Sequence, residues 1–228
     1  MSEKLYTEYA DRVSNNFKWK DGIKMSSELK DKRKEEIIDA CVKLYETKNF
    51  KNITITDISE FISVSRPSIY NYFQTKEEIF LELLRREYSL WIEELQTMIE
   101  NHDSLTEEAF AKAIAKSMEN RPKMLKLLSM NMYDIEENSR LERLVEFKKI
   151  FAKSMETIKQ GLDKFFHYLT EEEKTDIIYA FFPFMYGVYP HTMATDKQKE
   201  AVKIIGFDYK YMSIYEITYK SLMRLLKK

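Results

Sequence analysis

Apolar residues recur every three to four positions along most of this chain, which is the spacing that predicts amphipathic helices. The pattern predicts helices over residues 31–48, 77–100, 106–119, 122–132, 140–168, 171–190 and 210–226. There is no clear strand signal, and four Gly and four Pro in 228 residues are too few for the frequent turns of a sheet protein. We therefore expect an all-α fold.

Residues 1–24 are predicted to form an N-terminal extension, because apolar side chains recur at every fourth position from Leu5 to Phe17. A helix packed on its own subunit is the first interpretation. A flexible arm, or a true start at Met25, are the alternatives. Residues 25–76 and residues 77–228 are predicted to form two further domains.

A short helix is predicted to begin after Thr54, which has the spacing of a capping box with Asp57. Thr75 and Glu78 form a second capping box, which is expected to start the next long helix. The residues expected on the buried face of the first helix are Ile55, Ile58, Phe61 and Ile62.

Another short helix is predicted after the interruption at residues 63–65. Ser65 can cap it, and Pro67 falls in its first turn, where the missing N–H has no helical partner to lose. Ile69 and Phe73 are four residues apart and are expected to point inward. The residues left outward are Arg66, Ser68, Tyr70, Asn71 and Tyr72.

Two short helices joined by a three-residue turn have the geometry of a helix-turn-helix that reads the major groove of DNA. Arg and Asn side chains can pair with base edges, and hydroxyl and ammonium groups suit phosphate oxygens. The competing interpretation is a three-helix core whose polar face has no partner.

The run from Ile58 to Phe80, ISEFISVSRPSIYNYFQTKEEIF, resembles the DNA-binding signature of TetR-type transcriptional regulators. Its most specific part is Tyr70-x-x-Phe73 followed by Lys76-Glu77-Glu78 and an apolar pair. The resemblance covers about residues 32–80. It departs from the family at Ser63, where the family usually has a Gly that tolerates a left-handed backbone.

The resemblance implies a role for each matching polar residue. Thr56, Tyr70, Tyr72 and Lys76 would contact phosphates, and Arg66, Ser68 and Asn71 would contact base edges. Ser65, at the start of the helix, is grouped with these DNA-binding candidates.

The larger C-terminal region has an interior rich in Met and aromatic residues. By periodicity alone this interior is ordinary core. The family resemblance implies that it holds a small, largely apolar effector. The candidate pocket residues are Met124, Leu128, Phe147, Phe151, Met155, Phe182, Met185, Tyr186 and Tyr189. Gly187 and Pro190 can bend or end the helix that carries the last of these.

The helix over 171–190 is apolar on nearly every side, which indicates more than one packing partner. The family resemblance implies that this helix and the last one pair two copies into a homodimer with a palindromic operator. The candidate interface residues are Ile177, Phe181, Phe184, Val188, Tyr211, Ile214, Tyr215, Thr218, Leu222 and Leu225. Complete burial within one chain is the alternative.

Charge and composition narrow the function classes. The chain has 37 basic and 38 acidic side chains, so DNA contact must come from placed groups rather than from bulk positive charge. The single cysteine, Cys41, lies on an apolar stripe and excludes an internal disulfide. With no signal peptide and no run of apolar residues long enough to span a bilayer, we expect a soluble cytoplasmic protein.

No catalytic signature, metal-ligand spacing or cofactor motif occurs in the sequence, so we expect no enzyme, no metal and no cofactor. Three functions are compared. The first is a repressor released by an apolar effector, and the second is a DNA-binding regulator without a small ligand, controlled by a protein partner. The third is a helical enzyme or carrier that uses the aromatic interior.

Overall fold

The computed structural model describes residues 28–62 and 64–227, and every regular element in those ranges is helical. The all-α prediction is therefore confirmed. The helix predicted in residues 1–24 and the unusual turn residue Ser63 lie outside the described residues.

Ten α-helices follow one another along the described chain. The first, α1, is described over residues 28–47, and a 3-10 turn at Phe50–Asn52 follows it. The others are α2 (Ile55–Glu60), α3 (Arg66–Ile69), α4 (Lys76–Glu100), α5 (Glu107–Glu119), α6 (Pro122–Glu137), α7 (Leu141–Phe165), α8 (Glu171–Thr192), α9 (Asp196–Ile204) and α10 (Ile214–Leu226).

Four of the predicted helix boundaries were wrong, since α7 ends at Phe165 instead of residue 168 and α10 begins at Ile214 instead of residue 210. Helix α6 continues to Glu137 instead of ending near residue 132, and α8 continues through Pro190 to Thr192. A proline inside a helix removes one hydrogen-bond donor without always ending the helix. In α8 the prolines at 183 and 190 both lie within the helix.

Helix α9 was missed by the sequence analysis. It buries none of its residues, so it has no apolar stripe to reveal it. Its remaining signal is the capping box of Thr195 and Gln198, whose side chains each accept a hydrogen bond from the other residue's backbone N–H.

The chain divides into two compact units that meet between Ile79 and Phe80. In the first unit, α1 contributes buried apolar residues at the spacing of one helix face, including Ile37, Cys41 and Leu44. Ile58 of α2 and Ile69 of α3 are also buried there. Burial raises the pKa of the Cys41 thiol, which therefore acts as a small core residue and not as a nucleophile.

In the second unit, α10 packs on α5 and α8, and α8 also packs on α6 and α7. The largest buried side chains of this unit are aromatic, and Trp91 and Tyr88 of α4 are both fully buried. In residues 28–62 and 64–227, no helix combines the length and the apolarity that a membrane span requires.

Candidate functional site

The start of α2 is fixed by polar contacts between neighbouring residues. The Asp57 carboxylate accepts a hydrogen bond from the Thr54 backbone N–H at 2.8 Å, and the Thr54 hydroxyl accepts one from the Asp57 N–H at 3.1 Å. The Lys48 ammonium lies 2.8 Å from the same carboxylate. The ion pair with Lys48 and the hydrogen bonds from Thr54 lower the pKa of Asp57 to about 2. The first capping box is therefore confirmed, and it places Thr56 on the exposed side of the helix.

Helix α3 is only four residues long, and Ser65 occupies its N-cap position. The expected side-chain cap is absent, because the Ser65 hydroxyl instead lies 2.9 Å from the Ser68 hydroxyl. After Ile69 the chain continues in tight turns, in which the backbone N–H groups of Tyr72 and Phe73 both donate to the Ile69 carbonyl. Ile69 and Phe73 are fully buried, as predicted, and they hold this segment onto its unit.

The outward side of the α3 segment presents an ordered set of polar groups. The Arg66 guanidinium donates to the Tyr70 hydroxyl at 3.3 Å, and its Cζ lies 5.9 Å from the centre of the Tyr70 ring. Arg66, Tyr70 and Asn71 are exposed, whereas Ser68 and Tyr72 are half-buried. The segment thus places a guanidinium, an amide and hydroxyls on one short surface, and these are groups that can pair with base edges and with phosphates.

The ammonium group of Lys76, the first residue of α4, makes its contacts within the first unit. Its ammonium donates to the Phe50 carbonyl at 2.9 Å and to the Lys51 carbonyl at 3.4 Å, and it lies 4.6 Å from the centre of the Phe50 ring. Lys76 therefore closes the 3-10 turn against the start of α4. Its predicted phosphate contact stays a prediction. Any such contact would use the N–H of the ammonium group that does not donate to these two carbonyls.

Phe61, which was expected on the buried face of α2, is exposed over 58% of its surface. That part of the prediction was wrong. Phe61 is the C-cap residue that follows Glu60 and still has helical dihedral angles, yet its side chain is left exposed.

A cavity of about 490 Å³ lies in the second unit beside α6, α7 and α8. Of the nine predicted pocket residues, only Leu128 and Tyr186 line it. Met124, Phe147, Phe182 and Met185 are buried, and the other three are half-buried. The remaining lining residues are Ser129, Asn131, Met132, Tyr133, Asp134, Glu136 and Lys148.

The polar lining of this cavity was not predicted. The Lys148 ammonium pairs with the Glu136 carboxylate at 2.5 Å and lies 5.7 Å from the ring centres of both Phe147 and Phe151. A search for apolar stripes selects residues that face the core, and it passes over the polar residues on the rim of a cavity. Among the residues that the structure describes, no group of three His, Cys, Asp or Glu could hold a metal ion.

The predicted dimer residues fall into two classes. Ile177, Phe181 and Val188 of α8 are buried within their own unit, as are Ile214, Thr218 and Leu222 of α10. Phe184, Tyr215 and Leu225 are half-buried and Tyr211 is exposed. The open side of α8 instead consists of Tyr179, Ala180, Pro183, Gly187 and Pro190.

Family models match both parts of the chain. Residues 37–83 match the model described as "Bacterial regulatory proteins, tetR family". Residues 85–208, more than half of the chain, match the model described as "Tetracyclin repressor-like, C-terminal domain".

Related proteins share sequence with the N-terminal part. The uncharacterized HTH-type transcriptional regulator YfiR of Bacillus subtilis is 36% identical over 61 residues, which cover 27% of this chain and 30% of that protein. IcaR of Staphylococcus epidermidis, a negative transcriptional regulator of the biofilm operon icaADBC, is 30% identical over 70 residues, 31% of this chain and 36% of IcaR. The chain thus matches about a third of the length of these relatives.

Solved structures match nearly the whole fold. FadR of Bacillus subtilis in complex with stearoyl-CoA has a TM-score of 0.59 at 14% identity, over 85% of this chain and 97% of that one. FadR of Thermus thermophilus in complex with lauroyl-CoA has a TM-score of 0.54 at 16% identity, over 86% and 95%. At such identities the likeness establishes the fold.

Proposed function

Because the chain belongs to the TetR family of transcriptional regulators, we propose that it is a repressor that binds a palindromic operator as a homodimer and leaves it when a small, largely apolar effector binds. The family consists of DNA-binding regulators rather than enzymes. In this proposal residues 25–76 recognise DNA, and residues 77–228 carry dimerisation and effector binding.

The polar surface of the α3 segment is the observation that carries the DNA-binding part. Arg66, held against Tyr70, would contact base edges together with Ser68 and Asn71. Thr56, Ser65, Tyr70 and Tyr72 would contact the flanking phosphates, with a contribution from Lys76. Since the whole chain is close to neutral, these few contacts and their duplication in a dimer must supply the affinity.

The open side of α8 supports the homodimer. Tyr179, Ala180, Pro183 and Gly187 present a surface of rings and small residues that is not covered within the protomer. The half-buried Tyr215 and Leu225 of α10 would extend this surface. A homodimer would present two recognition helices to half-sites one turn of DNA apart, about 34–36 Å.

The cavity beside α6, α7 and α8 supports the effector. Its volume of about 490 Å³ is within the range of small-molecule sites, and the ammonium of the lining residue Lys148 lies 5.7 Å from the ring centres of Phe147 and Phe151. The acyl-CoA complexes of the two FadR proteins make acyl-CoA a compound class to test on this chain.

Selection of bound fragments from a random DNA pool would define the operator, and anisotropy titrations would then measure affinity. We expect Arg66→Ala to lose about 1–3 kcal/mol in each half-site, and thus about 2–6 kcal/mol across a dimer. Binding should also weaken steeply as salt rises, because phosphate contacts release counterions.

Lys149→Ala is the matched control, since it removes one positive charge from an exposed ion pair of the second unit. Equal operator affinity for Arg66→Ala and Lys149→Ala would contradict the recognition model. If neither lauroyl-CoA nor small apolar compounds release the DNA, the regulator without a small ligand, controlled by a protein partner, becomes the better interpretation.

A further inference from the structure

The Lys148 ammonium lies at a position in the cavity lining that favours a cation. It pairs with the Glu136 carboxylate at 2.5 Å, and it lies 5.7 Å from the ring centres of both Phe147 and Phe151. The face of an aromatic ring attracts a cation within about 6 Å, and a carboxylate adds a charge-assisted hydrogen bond. Glu136 comes from α6 and Lys148 from α7, so this position forms where the two helices meet.

Lys148 holds this position weakly. Its side chain is 48% exposed, and that of Glu136 is 27% exposed. An ion pair between such exposed side chains adds little stability, because water screens the charges and the lysine loses rotamer freedom. The Lys148 side chain can therefore swing into solvent and leave the same position to another cation.

The cavity also has room for an apolar group attached to such a cation. Its volume is about 490 Å³, and its lining includes the buried Leu128 and Met132 and the half-buried Tyr186. Apolar surface that leaves water against these side chains stabilises a complex. A ligand with a charged end and an apolar body would thus use both parts of the lining.

The charges of the lining decide the sign of the ligand's charged end. Asp134 and Glu136 are acidic, and Lys148 supplies the one positive charge among the described lining residues. Once Lys148 has moved away, both remaining charges are negative. A cation is then attracted and an anion is repelled, so the phosphates of an acyl-CoA would not be bound at this position.

We infer that the effector is an amphipathic cation, such as an amine with an apolar body, whose charged end replaces the Lys148 ammonium beside Glu136. Lys148 is then an internal competitor, which occupies the charged end of the cavity until the ligand binds. The inference rests on the proposed function of this cavity as the effector site and specifies the charge of the effector. Loss of the lysine and loss of the carboxylate must then change binding in opposite directions.

The test uses three probes that share a phenyl ring on a short chain and differ in charge: 4-phenylbutylamine, 4-phenyl-1-butanol and 4-phenylbutyrate. Isothermal titration calorimetry on the whole chain measures their dissociation constants. The variants are Lys148→Met, which keeps an apolar side chain, and Glu136→Gln, which keeps the shape. Lys149→Met is the matched control, because Lys149 is exposed, pairs with Glu146 and lies outside the cavity lining.

We expect the wild-type chain to bind the amine more tightly than the alcohol, and the butyrate most weakly. Lys148→Met should tighten amine binding about fivefold, because it removes the competitor. Glu136→Gln should weaken amine binding about tenfold, because it removes the charged acceptor. Neither variant should change the affinity for the alcohol by more than about twofold, and Lys149→Met should leave all three affinities unchanged.

Opposite effects of the two substitutions separate a binding role from a structural one, since damage to the fold would weaken the amine and the alcohol together. The inference would be overturned by tighter binding of the butyrate than of the amine, by weaker amine binding in Lys148→Met, or by failure of all three probes to bind. Equal changes in Lys148→Met and Lys149→Met would also overturn it, because only the net charge of the chain would then matter.

Release of the operator is a separate measurement, made by anisotropy on labelled DNA. Amine binding with the expected dependence on Lys148 and Glu136, but with no release of the operator at saturating amine, would support the inference and contradict effector-driven release. Release by the butyrate or the alcohol, with no binding of the amine, would support the proposed function and overturn the inference.

Discussion

The capping and recognition contacts of the first unit and the core contacts of the second unit span very different distances in sequence. At the start of α2 and along the α3 segment, hydrogen bonds join residues three or four positions apart, as between Thr54 and Asp57 or between Arg66 and Tyr70, although Lys76 of the same unit reaches the Phe50 carbonyl, 26 residues away. In the second unit the Trp91 indole reaches Ser117, 26 residues away, and the Lys164 ammonium reaches the Ile99 carbonyl, 65 residues away. Short-range contacts form as soon as the local helix forms, whereas long-range contacts need the finished fold.

The proposed function needs a DNA-reading surface that stays constant while the second unit responds to an effector, and this difference fits that requirement. The α3 segment rests on the two buried anchors Ile69 and Phe73, and its polar side chains are held by neighbours. In the second unit the polar contacts join helices far apart in sequence, so a change in packing there can alter which groups are paired.

Ser117→Ala removes the long-range hydrogen bond from Trp91 to Ser117 and should have the largest effect on stability. It leaves the Trp91 indole N–H buried without an acceptor, which costs about 1–3 kcal/mol of unfolding free energy. Urea unfolding of the whole chain measures the loss.

Ser154→Ala is the control for Ser117→Ala. Ser154 is equally buried, but its hydroxyl donates to the Phe151 carbonyl of the same helix, so the change leaves no distant donor unpaired. If the two variants lose the same free energy of unfolding, the long-range hydrogen bond contributes no more stability than a hydrogen bond within one helix.

Asp57→Asn tests the short-range side, with an expected loss of up to about 1 kcal/mol at neutral pH. The pKa of Asp57 is lowered to about 2 in the folded chain, from an ordinary value of 3.8. The folded state therefore favours the charged carboxylate, and this contribution is complete above the unfolded pKa. It falls as pH drops from about 4 to about 2, and it is absent below that range.

The stability difference between the wild-type chain and Asp57→Asn should follow the same course in urea titrations at a series of pH values. Ser59→Ala, a change at a hydroxyl on the same helix that donates to the Thr56 carbonyl, provides a control that does not titrate. A difference for Asp57→Asn that stays constant down to about pH 2 would show that the charge on Asp57 does not stabilise the capping box.

The same distinction decides what could be predicted from sequence. The capping box of Thr54 and Asp57, the buried Ile69 and Phe73 and the all-helical fold depend on spacing within a few residues, and the structure has them as predicted. Of the second capping box, the bond from the Glu78 N–H to the Thr75 hydroxyl is present, whereas the Glu78 carboxylate accepts from the Gln74 N–H. The polar lining of the cavity could not be predicted, because Glu136 and Lys148 meet only when α6 and α7 pack. Phe61 was misplaced because helical spacing assigns it to the buried face, whereas at the C-cap of α2 its side chain is left exposed.

Substitutions at Gly187 and Gly161 compare the helix propensity of a position with its tertiary packing. We expect them to have the smallest effect on the free energy of unfolding. A Cβ added at Gly187 of α8 meets no atom within 4 Å, so Gly187→Ala should gain helix propensity, about 0.5–1 kcal/mol. The same change at Gly161 of α7 places the Cβ 3.0 Å from Phe110 Cε2, in a ring cluster with Phe165 and Phe166, so steric crowding there should cancel or reverse the gain. Thermal unfolding at low and high protein concentration measures both changes.

A gain at Gly161 equal to that at Gly187 would contradict the packing argument. If Gly187→Ala loses stability only at concentrations where the chain self-associates, Gly187 lies against a second copy, since nothing within its own chain is close enough to oppose the added methyl group.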